Sequence, residues 1–237
     1  MTEIALKVGL TPEHHCSYLP AEQEQLMVVL DNHLLSADGY ESLLSAGFRR
    51  SGSDIYRPYC PACSSCRSLR LPVADFEPSR SQKRIYQKNR DLEIVLSTQD
   101  KPEYYDLFAK YIHERHADGS MFPPSRNQYD NFLLCSWLTP YFVEFRHGSQ
   151  LLAVAITDPL PHSLSAMYTF YDANHEHRSL GTFAIMTQME LSRKMGKKWL
   201  YLGYQVDGCK KMNYKRSFHP YQVLIDHVWK NEHEEKA

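Results

Sequence analysis

The sequence predicts an α+β protein with two domains, and three features carry this prediction. The chain has 237 residues, enough for one large domain or two modest ones. A cysteine cluster, YRPYCPACSSCRSLR, occupies 56–70 in its first part. The second part alternates amphipathic helical patterns with short apolar runs, and STQDKP near 97–102 separates the two parts. We therefore expect a cysteine-bearing domain over 1–97 and a second domain over 98–237.

The composition is typical of a soluble globular protein, with 43% hydrophobic and 23% charged residues. The longest apolar runs, such as LLAVAI at 151–156, are far too short to span a bilayer. The start, MTEIALKVGL, lacks the long apolar stretch of a secretion signal. We expect a cytoplasmic protein without a membrane partner, whose cysteines stay mostly reduced.

Periodicity and capping signals give the elements of the first domain. Their predicted order is a partly helical segment at 21–35, a turn or strand start at 47–52, a strand at 67–76, a helix at 79–92 and a short strand at 93–97. Ser79 is the expected N-cap of the helix.

The second domain is predicted to run helix, helix, three strands, helix, strand, helix, strand. Apolar residues recur at i, i+3, i+4 and i+7 from Tyr104 to Tyr111, which indicates an amphipathic helix. HGS at 147–149 marks a hairpin turn, and WLYLGY at 199–204 is typical of a buried strand. Antiparallel strands followed by a strand–helix–strand crossover are the order of a GCN5-related acetyltransferase-like sheet, which predicts a fold but no reaction.

Cys60, Cys63 and Cys66 stand three residues apart in the first domain. Thiolates at this spacing can close around Zn²⁺ or an iron–sulfur cluster, and a structural zinc site needs four ligands. Cys16 is the candidate for the fourth ligand, with the two histidines before it as alternatives. The usual double CxxC pattern is absent, so a zinc-knuckle-like turn without metal, in which the cysteines pack as small hydrophobic groups, stays open.

The charge distribution indicates an anionic partner, although the net charge is only −1. Residues 79–90 hold five basic residues and no acid, and 193–216 hold eight basic residues against Asp207. Such segments suit an anion or are simply solvated helix faces. Tyrosines alternate with lysines in GCKKMNYKR, which suits a single-stranded nucleic acid as well as an amphipathic helix with buried tyrosines.

Two loops offer further candidates. RSLGT at 178–182 opens a helix after a strand, where backbone N–H groups and Arg178 suit a phosphate or carboxylate. Coenzyme A enzymes carry Arg/Gln-x-x-Gly-x-Gly/Ala here, and Phe183 replaces the last small residue, which disfavours that cofactor. In RHADGSM, Asp118 is a candidate for orienting or deprotonating an amine, with a purely structural loop as the alternative.

Together these segments resemble those of the bacterial aspartate/glutamate leucyltransferases, relatives of the eukaryotic arginyl-tRNA–protein transferases. The motifs that carry the resemblance run in order along nearly the whole chain: HHCSYLP, GFRRSG, YRPYCPACSSCRSLR, PSRSQKR, RHADGSM, RSLGT and LGYQVDGCKKMNYKRSFHP. The resemblance implies an acetyltransferase-like C-terminal domain and transfer of leucine from leucyl-tRNA to proteins that begin with Asp or Glu, which marks them for N-degron degradation. One departure is Gln205, where relatives often carry tryptophan.

The implied reaction is aminolysis of an ester, with aminoacyl-tRNA as co-substrate and no cofactor required for the chemistry. An α-amine with a pKa of about 8 is partly neutral near pH 7, so no protein nucleophile is needed and positioning suffices. The predicted catalytic residues are Asp118, Tyr204 and Gln205. The predicted binding residues are Arg80, Arg84 and Arg178 for the acceptor carboxylate, and Lys211, Lys215 and Arg216 for tRNA.

Three alternatives stay open at this point. An arginyl donor requires an acidic pocket and a leucyl donor an apolar one, and the sequence does not show which forms. A coenzyme A-dependent N-acetyltransferase fits the order of elements. A non-catalytic tRNA-binding module fits the basic segments and the cysteine cluster.

Overall fold

The computed structural model describes residues 6–209 and 212–231, in which strands and helices alternate along the chain. The strands are β1 (Val8–Leu10), β2 (His14–His15), β3 (Gln23–Glu24), β4 (Leu26–Val29), β5 (Arg49–Ser51), β6 (Asp54–Pro58), β7 (Cys66–Pro72), β8 (Glu93–Ser97), β9 (Tyr141–His147), β10 (Gln150–Pro159), β11 (Ser163–Tyr171), β12 (Trp199–Val206), β13 (Gln222–Ile225) and β14 (Val228–Asn231). The α-helices are α1 (Ala37–Ser45), α2 (Arg80–Lys88), α3 (Pro102–Arg115), α4 (Arg126–Leu133) and α5 (Leu180–Lys194). Short 3-10 helices cover Asn32–Leu34, Ala173–Arg178 and Asn213–Ser217.

An eight-stranded sheet in the order β14-β13-β7-β12-β11-β10-β9-β8 forms the centre of the molecule. Its neighbours are antiparallel except for β11 and β12, which are parallel and joined through α5. A parallel pair needs such a crossover because a tight turn reverses the chain direction. The predicted α+β class, with its acetyltransferase-like order of strands, is confirmed.

Alternation along β10 divides the core between the two faces of this sheet. Ala153 and Ala155 face the cluster that contains α5, whereas Val154 and Ile156 face the cluster built from α3 and α4. This period of two is the ordinary consequence of a pleated strand buried on both sides. No helix in the described ranges combines the length and apolarity that crossing a membrane requires.

The first part of the chain builds a smaller sheet, β1-β4-β6-β5, packed with α1. It also supplies β7, which lies in the large sheet between β13 and β12 and directly follows the cysteine turn. The cysteine segment is thereby fixed to the centre of the large sheet. The division into 1–97 and 98–237 stays a prediction.

Two expectations about local structure have opposite outcomes. Ser79 caps α2 as predicted, and its exchange of hydrogen bonds with Gln82 completes a capping box. The segment 21–35, predicted to be partly helical, is helical only in the 3-10 helix Asn32–Leu34, and its longest element is the strand β4, which pairs with β1 and β6. Its two valines suit a strand that finds partners on both sides, and the sequence pattern alone does not show those partners.

Candidate functional site

The central strands β11 and β12 separate at one end of the large sheet. They pair only where Ser163–Ser165 runs beside Trp199–Tyr201, although both strands continue well beyond. The first three residues of β11 are buried, and the next four are only half-buried. A cleft therefore opens between β11 and β12 beyond the residues at which the two strands pair.

Arg49 lies at the base of this cleft and comes from β5 in the small sheet. Its Nη1 donates to Ser165 Oγ at 3.1 Å, and its Nη2 donates to the carbonyl of Ala166 at 2.9 Å. Ala166 is the first residue of β11 beyond the stretch paired with β12. The guanidinium thus lies where the pairing of β11 with β12 ends.

Gly203 makes room for this guanidinium. Its φ of +80° suits glycine, and a Cβ there would lie 3.4 Å from Cζ, Nε and Nη2 of Arg49. The pairing of β12 with β7 is irregular at the same point, between Tyr201 and Gly203. The bend and the missing side chain together let the arginine lie flat against the backbone.

Lys215 is a second buried cation near this place. Only 4% of the residue is exposed, and its Nζ donates to the carbonyl of Tyr204. Burial, followed by the positive charge of Arg49, lowers the pKa of Lys215 to about 7. Among the described residues, no aspartate or glutamate forms an ion pair with either cation. Positive charge is therefore concentrated here without a carboxylate to balance it.

Tyrosines line the wider part of the cleft. The rings of Tyr111 and Tyr171 are 4.9 Å apart, and those of Tyr111 and Tyr168 are 6.5 Å apart. Burial, reinforced by neighbouring phenols, holds the pKa of Tyr111 and Tyr168 well above the ordinary value, so both stay neutral. Tyr214 is close enough to raise both pKa values, and its own ring is exposed. The cleft thus combines aromatic walls with a cationic base.

The predicted catalytic residues occupy three different settings. The buried Tyr204 hydroxyl donates to the carbonyl of Gly47 at 2.9 Å, so this group is already used in packing. Gln205 donates through Nε2 to Asn213 Oδ1 at 3.0 Å, while its buried Oε1 has no hydrogen-bond partner among the described residues. Asp118 lies exposed in the loop after α3.

Arg178, predicted to bind the acceptor carboxylate, already holds a carboxylate of the protein. Its Nη1 and Nη2 donate to Asp91 Oδ1 and Oδ2 at 2.9 and 2.8 Å. These hydrogen bonds from Arg178 lower the pKa of Asp91 to about 2. Arg80 and Arg84 are exposed one turn apart on α2. The acceptor role of these three arginines stays a prediction.

The predicted tRNA contacts do not behave as one group. Lys211 lies outside the described residues, Lys215 is buried, and Arg216 pairs with Asp207 at 2.9 Å. The basic stretch 193–216 is also divided by β12, since its first lysines precede the strand and its last cations follow it. At about 3.3 Å per residue, this strand separates the two groups by roughly 25 Å.

The four predicted metal ligands line one cavity of about 290 Å³ beside the cleft, and Tyr204 contributes to its wall. Burial, and then the other three cysteines, raise the pKa of Cys66 to about 12, so its thiol is protonated. The Sγ of Cys60 and the Sγ of Cys63 point to separate oxygens, at 3.8 and 3.4 Å. Across residues 6–209 and 212–231, no three His, Cys, Asp or Glu side chains converge as metal ligands. The predicted metal site stays a prediction.

Sequence reasoning missed Arg49, although GFRRSG contained a usable signal. Two consecutive arginines directly follow Phe48 at the start of a predicted strand. Adjacent strand residues point to opposite faces, so at least one arginine had to face the protein. Both are in fact buried, with 7% exposure for Arg49 and 3% for Arg50.

Comparison with known proteins gives consistent results along the chain. Family models described as "Arginine-tRNA-protein transferase, N terminus" and "Arginine-tRNA-protein transferase, C terminus" match residues 14–84 and 103–225. A protein of Aeromonas salmonicida named aspartate/glutamate leucyltransferase is 63% identical, over 97% of this chain and 96% of its own. A protein of the same name from Pseudoalteromonas atlantica is 47% identical, over 94% of this chain and 96% of its own.

Among solved structures, the C-terminal domain (DUF2156) of a lysylphosphatidylglycerol synthetase from Agrobacterium fabrum matches with a TM-score of 0.52. It shares 13% sequence identity with this chain, and the match covers 85% of this chain and 64% of that one. At this identity the likeness concerns the fold alone.

Proposed function

The chain belongs to the arginine-tRNA-protein transferase family, and from this premise we propose that it transfers leucine from leucyl-tRNA to the N-terminal amine of proteins that begin with Asp or Glu. The high identity to proteins named aspartate/glutamate leucyltransferase supports this donor and these acceptors. A leucine added at the N-terminus would mark the acceptor for degradation through the N-degron pathway. The tRNA donor gives the reaction a cytoplasmic setting.

The cationic cleft is the observation that carries this proposal. The α-amine of the acceptor attacks the leucyl carbonyl, the amide C–N bond forms, and the ester C–O bond to the ribose breaks. The amine loses a proton, and the ribose oxygen gains one. Hydrogen-bond donors beside the carbonyl stabilise the oxyanion that develops in between.

The same cations favour leucine over arginine as the transferred residue. An arginyl side chain would meet the positive charges of Arg49 and Lys215 in a buried setting, where repulsion is strong. A leucyl side chain can instead pack on apolar groups near the cleft, among them Phe132 and Met167, which contact the core cluster of α3 and α4.

The exposed basic face of α2 suits the phosphates of tRNA. Arg80 and Arg84 lie on this face with two lysines. One of these, Lys88, donates to the carbonyl of His177 at 2.7 Å, which joins the end of α2 to the segment before α5. A polyanion on this face would reach toward the start of α5, which follows the aromatic strand β11.

Gln205 is the predicted catalytic residue whose setting best supports a direct role. Its buried Oε1, which has no described partner, can accept a hydrogen bond from the acceptor amine. Tyr204 would act through its carbonyl, which accepts from Lys215. Asp118, on the exposed loop after α3, would orient the acceptor amine as it enters the cleft.

A transfer assay tests this function. The protein is incubated with leucyl-tRNA or arginyl-tRNA and with peptides that begin with Asp, Glu or Ala, and the products are weighed. We expect the mass of leucine to be added only to the Asp and Glu peptides and only from leucyl-tRNA. Addition of arginine would reassign the donor, and no addition to any peptide would contradict a transferase. A parallel arm with acetyl-coenzyme A tests the acetyltransferase alternative.

A further inference from the structure

Arg49 and Arg50 are adjacent in sequence and buried alike, but their surroundings differ. Arg50 holds Asp158 through two hydrogen bonds of 2.9 and 2.6 Å, so its charge is balanced. It also donates at 3.1 Å to the carbonyls of Gly52 and Leu133. Arg49 donates only to neutral oxygens in the described part of the chain, one hydroxyl and one carbonyl.

A buried guanidinium without a counter-charge destabilises the fold, because burial removes the water that stabilises the charge and no carboxylate replaces it. Lys215 adds to that cost, since the two positive charges repel each other. A guanidinium has five N–H donors, and the hydroxyl and the carbonyl take two of them. The remaining donors and the unbalanced charge together favour an anion as the ligand.

We propose that Arg49, together with Lys215, binds the side-chain carboxylate of the acceptor's N-terminal Asp or Glu. This inference rests on the proposed function and names the residues that read the acceptor. The planar fork of an arginine matches both oxygens of a carboxylate. Gly203 lets this fork lie flat against the backbone of β12.

The depth of the site favours a side-chain carboxylate over a tRNA phosphate. Arg49 is only 7% exposed, so a ligand must send a slender group between β11 and β12 to reach it. A phosphate within a polynucleotide is flanked by two sugars and suits an exposed surface such as α2. In this arrangement the carboxylate anchors the acceptor at the base of the cleft, and its α-amine faces the wider, aromatic part.

The test couples a change in the protein with a change in the peptide. Transfer of leucine to peptides beginning with Asp or with its neutral isostere Asn is measured for the wild type and for Arg49→Gln. We expect the wild type to prefer Asp by about 100-fold or more in kcat/KM, because an amide leaves the buried cations unbalanced. Arg49→Gln should reduce this preference to within about threefold. Lys215→Met should reduce it by a smaller factor.

Two further variants separate recognition from folding. Arg49→Lys keeps the charge but loses the planar fork, and we expect a preference between those of the wild type and Arg49→Gln. Arg193 is the control, because it too donates to two neutral oxygens, the backbone carbonyls of Val73 and Phe76, but lies far along α5 from the cleft. Arg193→Gln should keep the full preference for Asp. Thermal melting of each variant verifies that it folds.

Binding of the two peptides without tRNA, measured by calorimetry, decides the inference even if no transfer occurs. A wild type that transfers no leucine but binds the Asp peptide through Arg49 would contradict the proposed function and support the site. An Arg49→Gln variant that transfers leucine and still prefers Asp would overturn the inference alone. If Arg49→Gln lowers kcat/KM equally for the Asp and Asn peptides and also weakens binding of leucyl-tRNA, the inference is overturned too, because the anion bound by Arg49 would then belong to the tRNA donor.

Discussion

The two arginines of β5 show how the same side chain can serve structure on one side of a strand and recognition on the other. Arg50 joins the small sheet to β10 of the large sheet through Asp158, and both side chains are fully buried. Arg49 reaches the gap between β11 and β12 and holds no carboxylate in the described ranges. The balance of charge around an arginine, more than its burial, distinguishes the two roles.

The first prediction concerns Arg50, whose charge is balanced by Asp158, and here we expect the largest effect. Arg50→Met leaves the carboxylate of Asp158 buried without its cation, which should lower the free energy of unfolding by about 3–5 kcal/mol. Urea unfolding followed by circular dichroism measures the change. Arg49→Met is the matched variant and should lower stability far less, because no buried carboxylate loses a partner. Equal losses for the two variants would contradict the distinction between them.

The pH dependence of stability tests whether Lys215, the second buried cation near Arg49, lacks a counter-charge. Its pKa of about 7 in the folded protein lies below the ordinary 10.5 of an unfolded chain. Between these values the unfolded state binds more protons, so the contribution of Lys215 to stability rises with pH. Below pH 7 the lysine is charged in both states, and its full penalty remains.

The variant Lys215→Met removes this titration, so wild type and variant should differ most below pH 7. Above it, the wild type should gain on the variant by at most about 1.4 kcal/mol per pH unit. Urea unfolding at pH 6, 7.5 and 9 measures the difference, and subtraction cancels the groups that both proteins share. A difference that does not change with pH would mean that Lys215 is charged in both states throughout this range, so that its pKa is not lowered.

Gly203→Ala perturbs the unbalanced side without removing a charge. The new Cβ requires a strained φ near +80° and lies 3.4 Å from the Arg49 guanidinium. We expect a loss of about 1–3 kcal/mol and a reduced preference for Asp over Asn peptides. Gly148→Ala is the control, because its φ of +59° is also strained while nothing lies within 4 Å of the added Cβ. A change of preference in both variants would show that strain, and not Arg49, is responsible.

Most of the order of elements in the second half was predictable because each element carries its own periodicity. The end was not: in the described residues the predicted last helix is only the 3-10 helix Asn213–Ser217, and the predicted last strand is the β13–β14 hairpin. The pattern from Tyr104 to Tyr111 became α3, and the strands around HGS became the β9–β10 hairpin. The apolar strand WLYLGY became β12. These signals are local, and tertiary contacts reinforced them.

The site was harder to predict because its cations come from distant parts of the chain. Arg49 and Ser165 are separated by 116 residues, and no spacing rule connects them. Lys215 and Arg216 are neighbours with similar chemistry, but the first is buried and the second pairs with Asp207. The sequence shows that a residue can carry a charge, whereas only the fold shows whether an opposite charge pairs with it.

Arg178 provides the smallest expected effect and compares directly with Arg49. Its partner Asp91 is partly exposed, and such pairs contribute little to stability. Because the hydrogen bond from Arg178 lowers the pKa of Asp91 from 3.8 to about 2, the pair stabilises the fold above pH 3.8, and this contribution disappears as the pH falls through 2. Urea unfolding of wild type and Arg178→Ala should therefore differ slightly at pH 7 and less at pH 3.

The same variant decides between two positions for the acceptor site. If Arg178 binds the acceptor carboxylate, Arg178→Ala should reduce the preference for Asp over Asn peptides, and it would have to release Asp91 first. If Arg49 binds the acceptor carboxylate, Arg178→Ala should keep the preference for Asp over Asn peptides, whereas Arg49→Gln should remove most of it. An arginine that already holds a carboxylate can bind a second one only by exchange, whereas Arg49 gains a counter-charge from the acceptor. That difference in charge balance is why we expect the acceptor to bind at β5 and not at the start of α5.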